Sequence, residues 1–133
     1  MSHKSFRQLL SVLLVLALIG ILIVPAAAQE DGKWCAGQTI RYFVGGAEGD
    51  AFASIVLRGA QAAEADLGAN VEYIFSGWDV ERMTQQLREA IAAEPDGIAM
   101  MGHPGNDALM PLAEEAAAAG ISMMYQNVDV AEV

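Results

Sequence analysis

Cysteine and basic residues are scarce in this sequence. A single cysteine, Cys35, occurs among 133 residues, so no internal disulfide can form, and Cys35 is interpreted as an incidental thiol. Only 7 Lys and Arg residues stand against 17 Asp and Glu residues, which gives a formal net charge of −10 at pH 7. An acidic surface repels phosphate groups, so the composition argues against nucleic acid and against an anionic lipid surface as partners.

Catalytic and phosphate-binding signatures are also missing from the sequence. There is no G-x-S-x-G run, and the glycine-rich segment 45–49 lacks both the G-x-G-x-x-G spacing and the lysine of a phosphate-binding loop. His103 has no second His or Cys close to it in the sequence, which disfavours a metal site. The sequence therefore predicts no metal, no cofactor and no enzymatic activity.

An apolar leader opens the chain. Residues 1–8 carry Lys4 and Arg7 and no acidic residue, and residues 9–24 are almost wholly apolar. Pro25 and three alanines follow. A basic segment, an apolar segment and a small-residue site in this order are typical of a secretory signal peptide.

The signal peptide is predicted to span residues 1–28 and to be cleaved before Gln29. Its apolar run is shorter than the roughly 20 residues that a membrane-spanning helix needs, and an uncleaved membrane anchor is the alternative. We therefore expect a periplasmic or otherwise extracytoplasmic protein whose mature chain does not span the membrane. That chain would begin with a short tail, residues 29–38, ahead of a folded part, residues 39–133.

The folded part alternates between segments typical of strands and segments typical of helices. Runs rich in β-branched, aromatic or large apolar residues predict four strands, at 39–44, 71–75, 98–101 and 121–125. Apolar residues at three- and four-residue spacing predict three helices between them, along 52–67, 80–91 and 109–116. Gly68 and Gly120 end two of the helices, and Gly59 and Ala60 are expected to let the first helix approach the sheet closely.

This order of elements predicts an α/β fold. Strands that are apolar on both faces belong to parallel sheets with helices on both sides, and short connections favour right-handed βαβ units. The expected architecture is an open parallel sheet in the order of elements βαβαβαβ. In such sheets a ligand binds outside the carboxyl ends of the strands, which selects the four loops that follow the strands.

The first of these loops offers Glu48 and Asp50, with Phe52 one turn further on. A carboxylate accepts charge-assisted hydrogen bonds from ligand hydroxyls, and an aromatic ring packs on the apolar face of a sugar. The combination predicts a site for a sugar-like ligand. The alternatives are that Asp50 caps the first helix and that Phe52 packs in the core.

The other three loops add further candidates. Trp78 follows the second strand and is a candidate ligand wall, while its neighbour Asp79 is expected to cap the second helix. His103 lies in the third loop. Asn127 and Asp129 follow the fourth strand, where they either contact the ligand or form a turn.

Several short runs have the order and spacing of a known family. They are Phe43-Val44, Gly49-Asp50-Ala51-Phe52, Arg58-Gly59-Ala60-Gln61-Ala62-Ala63, Leu67-Gly68, Pro95-Asp96-Gly97-Ile98 and Ala118-Ala119-Gly120-Ile121. Together, over residues 39–129, they resemble the N-terminal lobe of periplasmic sugar-binding proteins of ABC transporters, in the type I, ribose-binding-like group. The resemblance covers only the first part of that lobe, so the sequence is interpreted as a fragment.

The resemblance implies two lobes that close on a monosaccharide-like ligand. Asp50 takes the family's polar position, Phe52 its first aromatic position, and Asn127 the polar position after the fourth strand. Ala51 stands where proline is usual, and Ala53 stands where a second aromatic residue is often found, which thins the aromatic wall.

The implied function is that of the substrate-binding component of a sugar importer, which delivers its ligand to a membrane permease. The alternatives are a periplasmic receptor for signalling, of the chemotaxis, sensor-kinase or autoinducer type, and, less favoured, an exported α/β enzyme. The same fold occurs in DNA-binding regulators, but the leader and the acidic charge argue against that class.

Overall fold

A computed structural model describes residues 32–128 of the chain. The predicted signal peptide, the first residues of the tail and Asp129 lie outside the described residues. The strands are β1 (Thr39–Gly45), β2 (Asn70–Phe75), β3 (Gly97–Met101) and β4 (Ser122–Gln126). The helices are α1 (Ala51–Leu67), α2 (Val80–Ala92) and α3 (Asn106–Ala118).

Local sequence signals account for the ends of these elements. Helix α1 ends before Gly68, which takes a left-handed φ of 82° and donates its backbone N–H to the Glu64 carbonyl at 2.8 Å. Helix α2 begins after Asp79, whose carboxylate accepts a hydrogen bond from the Arg82 N–H at 2.8 Å, so the predicted cap is confirmed. All seven predicted elements are present.

The four strands form one parallel sheet in the order β2-β1-β3-β4. Phe43 of β1 stands opposite Ile74 of β2 on one side and Met100 of β3 on the other. Because every strand runs in the same direction, all four carboxyl ends lie on one edge of the sheet. The predicted α/β class and parallel sheet are confirmed.

The core lies on the face of the sheet that α2 and α3 cover. Phe43 and Met100 contribute from the sheet, Leu87 from α2 and Leu109 from α3, and all four side chains are fully buried. Of the predicted apolar stripe of α2, Met83, Leu87 and Ile91 face this core, whereas its first residue, Val80, is exposed. Burial of these side chains is the main favourable term that holds the fold together.

Helix α1 packs on the opposite face, and here the sequence prediction is partly wrong. Ala53 is the buried residue of α1, whereas Ile55 is 62% exposed and Leu67 is 43% exposed. Gly59 is exposed, and a Cβ atom built on it would meet nothing within 4 Å, so this glycine does not bring the helix against the sheet. The apolar spacing of α1 thus predicted the helix correctly but overstated how much of it the sheet covers.

Part of the sheet on the α1 side remains open among residues 32–128. An apolar groove of about 330 Å³ runs there, and its lining includes Ile40, Tyr42, Leu67, Val71 and Met124. Strand β4 is one of the two edge strands of the described sheet, and Met124 in this strand is 51% exposed.

The amino edge of the sheet carries a hydrogen-bonded clamp between β1 and the turn before β3. The Asp96 carboxylate accepts hydrogen bonds from the Thr39 N–H at 2.7 Å and from the Thr39 hydroxyl at 2.9 Å. These bonds, the backbone one first, lower the pKa of Asp96 below its ordinary value.

In the part of the chain that the structure describes, none of the helices has the length and apolar character needed to span a membrane.

Candidate functional site

The carboxyl edge of the sheet brings the four predicted loops together. The Ser76 N–H after β2 donates to the carbonyl of Gly45 at the end of β1, at 3.2 Å. The Gly102 N–H after β3 donates to the carbonyl of Gln126 at the end of β4, at 3.0 Å. The loops therefore start from a rigid, hydrogen-bonded edge.

Asp50 occupies the N-cap position of α1, but its side chain does not cap the helix. Its carboxylate Oδ2 instead accepts a hydrogen bond from the Ala47 N–H at 2.8 Å, and the Asp50 N–H donates to the Ala47 carbonyl at 3.1 Å. The two bonds fold residues 47–50 into a tight turn. Asp50 is exposed, so its carboxylate stays accessible to a ligand while the turn fixes its position.

Phe52 and Trp78 form an aromatic pair above this edge. Their ring centroids are 5.9 Å apart, and the ring planes are inclined at 47°. Phe52 is 46% exposed and Trp78 is 47% exposed, so neither ring is part of the core. The alternative of core packing for Phe52 is wrong. A half-exposed aromatic pair presents apolar surface with a polar handle at the Trp78 Nε1–H, which suits a ligand with both C–H faces and hydroxyls.

The backbone beneath the aromatic pair consists of glycine and a buried serine that sequence reasoning did not single out. A Cβ atom on Gly46 would lie 2.7 Å from Asp50 Oδ2 and 3.2 Å from Trp78 Nε1, which places these two polar atoms around one point. The Ser76 side chain is fully buried, and its hydroxyl donates to the Gly45 carbonyl at 2.9 Å. The Gly45-Gly46 pair carried a usable signal, because consecutive glycines after a strand indicate close approach of another group.

Glu48, His103 and Asn127 lie along the same edge without joining this cluster. Glu48 is exposed in the first loop. His103 uses Nδ1 to accept a hydrogen bond from the Gly105 N–H at 3.0 Å, which stabilises its own loop. Asn127 is exposed and has a φ of 65°, a conformation that non-glycine residues rarely adopt outside turns and functional loops. Asp129 lies outside the described residues.

Tyr42 fixes the end of β4 next to Asn127. Its hydroxyl donates to Oε1 of Gln126, the last residue of the strand, at 2.6 Å. Burial raises the pKa of Tyr42, so the phenol remains neutral and keeps its proton for this bond near neutral pH.

Among residues 32–128, no group of three or more His, Cys, Asp and Glu side chains could hold a metal ion.

Comparison with known proteins assigns the chain to a family. The periplasmic binding protein domain matches residues 41–132, which is more than half of the chain. The chain therefore belongs to the periplasmic binding protein domain family, and the resemblance inferred from the short sequence runs is confirmed. No curated protein matches the chain.

Solved structures of similar fold come from several bacteria. A periplasmic ribose ABC transporter protein from Conexibacter woesei is 19% identical with a TM-score of 0.64, over 77% of this chain and 34% of its own. An ABC sugar transporter subunit from Rhodobacter sphaeroides is 22% identical with a TM-score of 0.60, over 72% of this chain and 33% of its own.

A third similar structure contains a small polyol. It is an ABC transporter solute-binding protein from Agrobacterium vitis with bound allitol, 21% identical with a TM-score of 0.59, over 71% of this chain and 32% of its own. The chain thus spans about a third of the length of each of these three structures. At these identities the likeness establishes the fold, an incomplete lobe of the type I periplasmic binding protein kind.

Proposed function

We propose that this chain is the ligand-binding part of the substrate-binding component of an ABC-type sugar importer. The ligand is a monosaccharide or a similar polyol, held at the carboxyl ends of the strands. The observation that carries the proposal is the cluster of Asp50, Phe52 and Trp78, in which a fixed carboxylate stands beside two half-exposed rings. Family membership and neighbours named as sugar transporter proteins support it.

In this role Asp50 accepts a hydrogen bond from a ligand hydroxyl in charge-assisted form, and the Trp78 and Phe52 rings pack against the C–H face of the ligand. Asn127 contributes a further polar contact from the loop after β4, and Glu48 and His103 lie further out on the same edge. Asp129, which follows the described residues, is a further candidate contact from the sequence. The matched part of the chain covers about a third of each of these structures. In this proposal a second lobe supplies the rest of the cleft. Closure of the two lobes is the change that a membrane permease recognises, and the protein acts outside the cytoplasm.

A thermal-shift experiment on the full chain tests the proposal. D-ribose, D-galactose, allitol and glycerol are added up to about 100 mM, and the midpoint of unfolding is followed. If the part of the cleft in this chain binds a probe with a Kd of about 1 mM, about 100 mM of that probe stabilises the folded state by about 2.7 kcal/mol. For a domain of this size that corresponds to a rise in Tm of roughly 10 °C or more.

Polyols stabilise many proteins non-specifically at such concentrations, so a matched control is essential. Asp50→Ala removes the carboxylate and should show only the non-specific rise. The proposal requires at least one of the probes to stabilise the wild-type chain more than the Asp50→Ala variant. Equal shifts in both proteins with every probe would contradict it.

A further inference from the structure

Trp78 rests on glycine residues from two different loops. A Cβ atom on Gly45 would overlap Trp78 Cη2 and would lie 2.9 Å from Cζ2 and Cζ3 of the same ring. A Cβ atom on Gly102 would lie 3.1 Å from Trp78 Cζ3. Separations below 3.0 Å are not tolerated, so any other residue at Gly45 would have to displace the indole, whereas a Cβ atom at Gly102 would require the ring to move by a few tenths of an ångström. We call Gly45 and Gly102 the glycine seat of Trp78.

The backbone of Trp78 is also held in an uncommon conformation. Its φ is 60°, in the left-handed region that residues with a side chain seldom occupy. Hydrogen bonds on both sides hold this turn in place. The Gly77 N–H donates to the Gly46 carbonyl, and the Asp79 N–H donates to the Ser76 carbonyl, both at 3.2 Å. Strain of this kind persists where the surroundings impose it, and it concentrates at ligand sites.

The fixed indole places a hydrogen-bond donor beside an acceptor. Trp78 Nε1 and Asp50 Oδ2 flank the same point above Gly46, at 3.2 Å and 2.7 Å from the position of a Cβ atom. A hydroxyl both donates and accepts, so it can satisfy the indole N–H and the carboxylate at the same time. A methyl or a carbonyl group can satisfy at most one of them.

We propose that Gly45 and Gly102 are positioning residues that hold the Trp78 ring in its binding orientation before any ligand arrives. In that orientation the indole N–H and the Asp50 carboxylate together select a ligand hydroxyl. The identity of the ligand as a polyol rests on the proposed function. The preset position of the ring is a property of the ligand-free chain, and it is tested separately.

Fluorescence of Trp78 tests the seat without any ligand. The chain has two tryptophans, so Trp34→Phe, at a position 86% exposed, leaves Trp78 as the single reporter. In that background Gly45→Ala and Gly102→Ala are compared with Gly120→Ala. Gly120 has a φ of 77°, close to the 79° of Gly102, but a Cβ atom there meets nothing within 4 Å. Gly120→Ala therefore places an alanine in a similar left-handed backbone conformation but does not contact the Trp78 ring.

Acrylamide quenching is the readout. A displaced indole should be quenched more strongly, by up to roughly twofold, because the ring is already 47% exposed in its seat. We expect this increase for Gly45→Ala and Gly102→Ala and no change for Gly120→Ala. Unchanged quenching in folded Gly45→Ala and Gly102→Ala variants would overturn the proposal.

A double-mutant cycle keeps the test decisive if Gly45→Ala folds poorly. If Gly45→Ala destabilises the protein by clashing with the indole, Trp78→Ala removes the clash. The loss of Tm caused by Gly45→Ala should then at least halve in the Trp78→Ala background. Gly120→Ala should lower Tm by the same amount in both backgrounds. Additive effects of Gly45→Ala and Trp78→Ala would show that the glycine does not act through the ring.

Titration with D-ribose and allitol then separates the seat from the proposed function. If either polyol binds, Gly45→Ala and Gly102→Ala should weaken binding tenfold or more, and Gly120→Ala less than twofold. Equal weakening in all three variants would overturn the positioning role. If none of the four probes of the thermal-shift experiment binds, the proposed function is contradicted, and the quenching result still decides whether the ring is preset.

Discussion

Asp50 Oδ2 accepts a hydrogen bond from the backbone N–H of Ala47, 2.8 Å away, although Asp50 occupies the position from which a side chain usually caps the following helix. Asp79 occupies the equivalent position one unit later and does cap its helix, through the Arg82 N–H. Two aspartates with the same sequence signal thus have different tasks. Asp50 shapes a loop at the carboxyl edge of the sheet, and Asp79 stabilises a helix.

This difference predicts separate effects for the two aspartates. Asp50→Asn keeps an oxygen for the Ala47 N–H but loses the charge, so we expect ligand binding to weaken by about 1 kcal/mol, roughly fivefold. Asp50→Ala should weaken it further. Calorimetric titration with the polyol that gives the largest thermal shift measures both.

Asp79→Asn is the control for the Asp50 prediction. Asparagine caps helices about as well as aspartate, so this variant changes a charge in the neighbouring loop with little loss of stability. Its ligand affinity should stay within twofold of the wild type. An equal loss of affinity in Asp79→Asn and Asp50→Asn would indicate a general electrostatic effect rather than a contact at Asp50.

The two apolar helix stripes should respond unequally to truncation. Leu87 in α2 is fully buried in the core, so Leu87→Ala should cost about 2–5 kcal/mol of the free energy of unfolding. Ile55 in α1 is 62% exposed, and Ile55→Ala should change stability by no more than about 0.5 kcal/mol. Urea denaturation of both variants measures the difference. A large loss in Ile55→Ala would mean that α1 is covered in solution.

The Thr39–Asp96 clamp predicts a stability term that depends on pH. The folded state lowers the pKa of Asp96, so the carboxylate stabilises the fold above its ordinary pKa of about 3.9. That contribution is lost as the pH falls through the lowered folded value. Asp96→Asn keeps the shape of the side chain but removes its ionisable carboxyl group. We expect the Tm difference between wild type and Asp96→Asn to be largest at pH 5–7 and to shrink towards pH 3.

The measurement for the clamp is a series of thermal melts of both proteins from pH 7 to pH 3. The two proteins differ only at position 96, so the Tm difference between them isolates Asp96. A difference that stays constant down to pH 3 would show that the hydrogen bonds from Thr39 do not favour the charged form.

The open sheet face predicts self-association. Met124 lies on the edge strand of the described sheet and is 51% exposed beside the apolar groove. Exposed edges and apolar patches pair with other chains, so wild-type protein should associate as its concentration rises. Met124→Lys should shift sedimentation profiles towards the monomer without lowering Tm.

Val80→Lys is the matched control for this prediction. Val80 is 53% exposed at the start of α2, so the substitution adds the same charge away from the edge strand. It should leave association unchanged. If Val80→Lys disperses the protein as well as Met124→Lys does, the effect comes from net charge and not from the sheet edge.

Local patterns in the sequence determined the elements and their order. The apolar run at 98–101 is strand β3, and the three- and four-residue spacing of Met83, Leu87 and Ile91 is the buried side of α2. Gly68 ends α1 as predicted, because only glycine enters the left-handed conformation without cost. These features depend on neighbours within a few residues, so they can be read directly from the chain. The family resemblance rests on the same local runs.

Only the tertiary structure decided which residues meet and which surfaces are covered. Asp50, Phe52 and Trp78 were each predicted to face a ligand, but the pairing of the two rings and the seat of Trp78 on Gly45 and Gly102 join loops that are distant in sequence. The exposure of α1 could not be predicted from the sequence either. Apolar spacing shows which side of a helix is apolar, but it does not show how much of the sheet that side covers. Burial and contact depend on the arrangement of separate elements in space, and no local pattern encodes that arrangement.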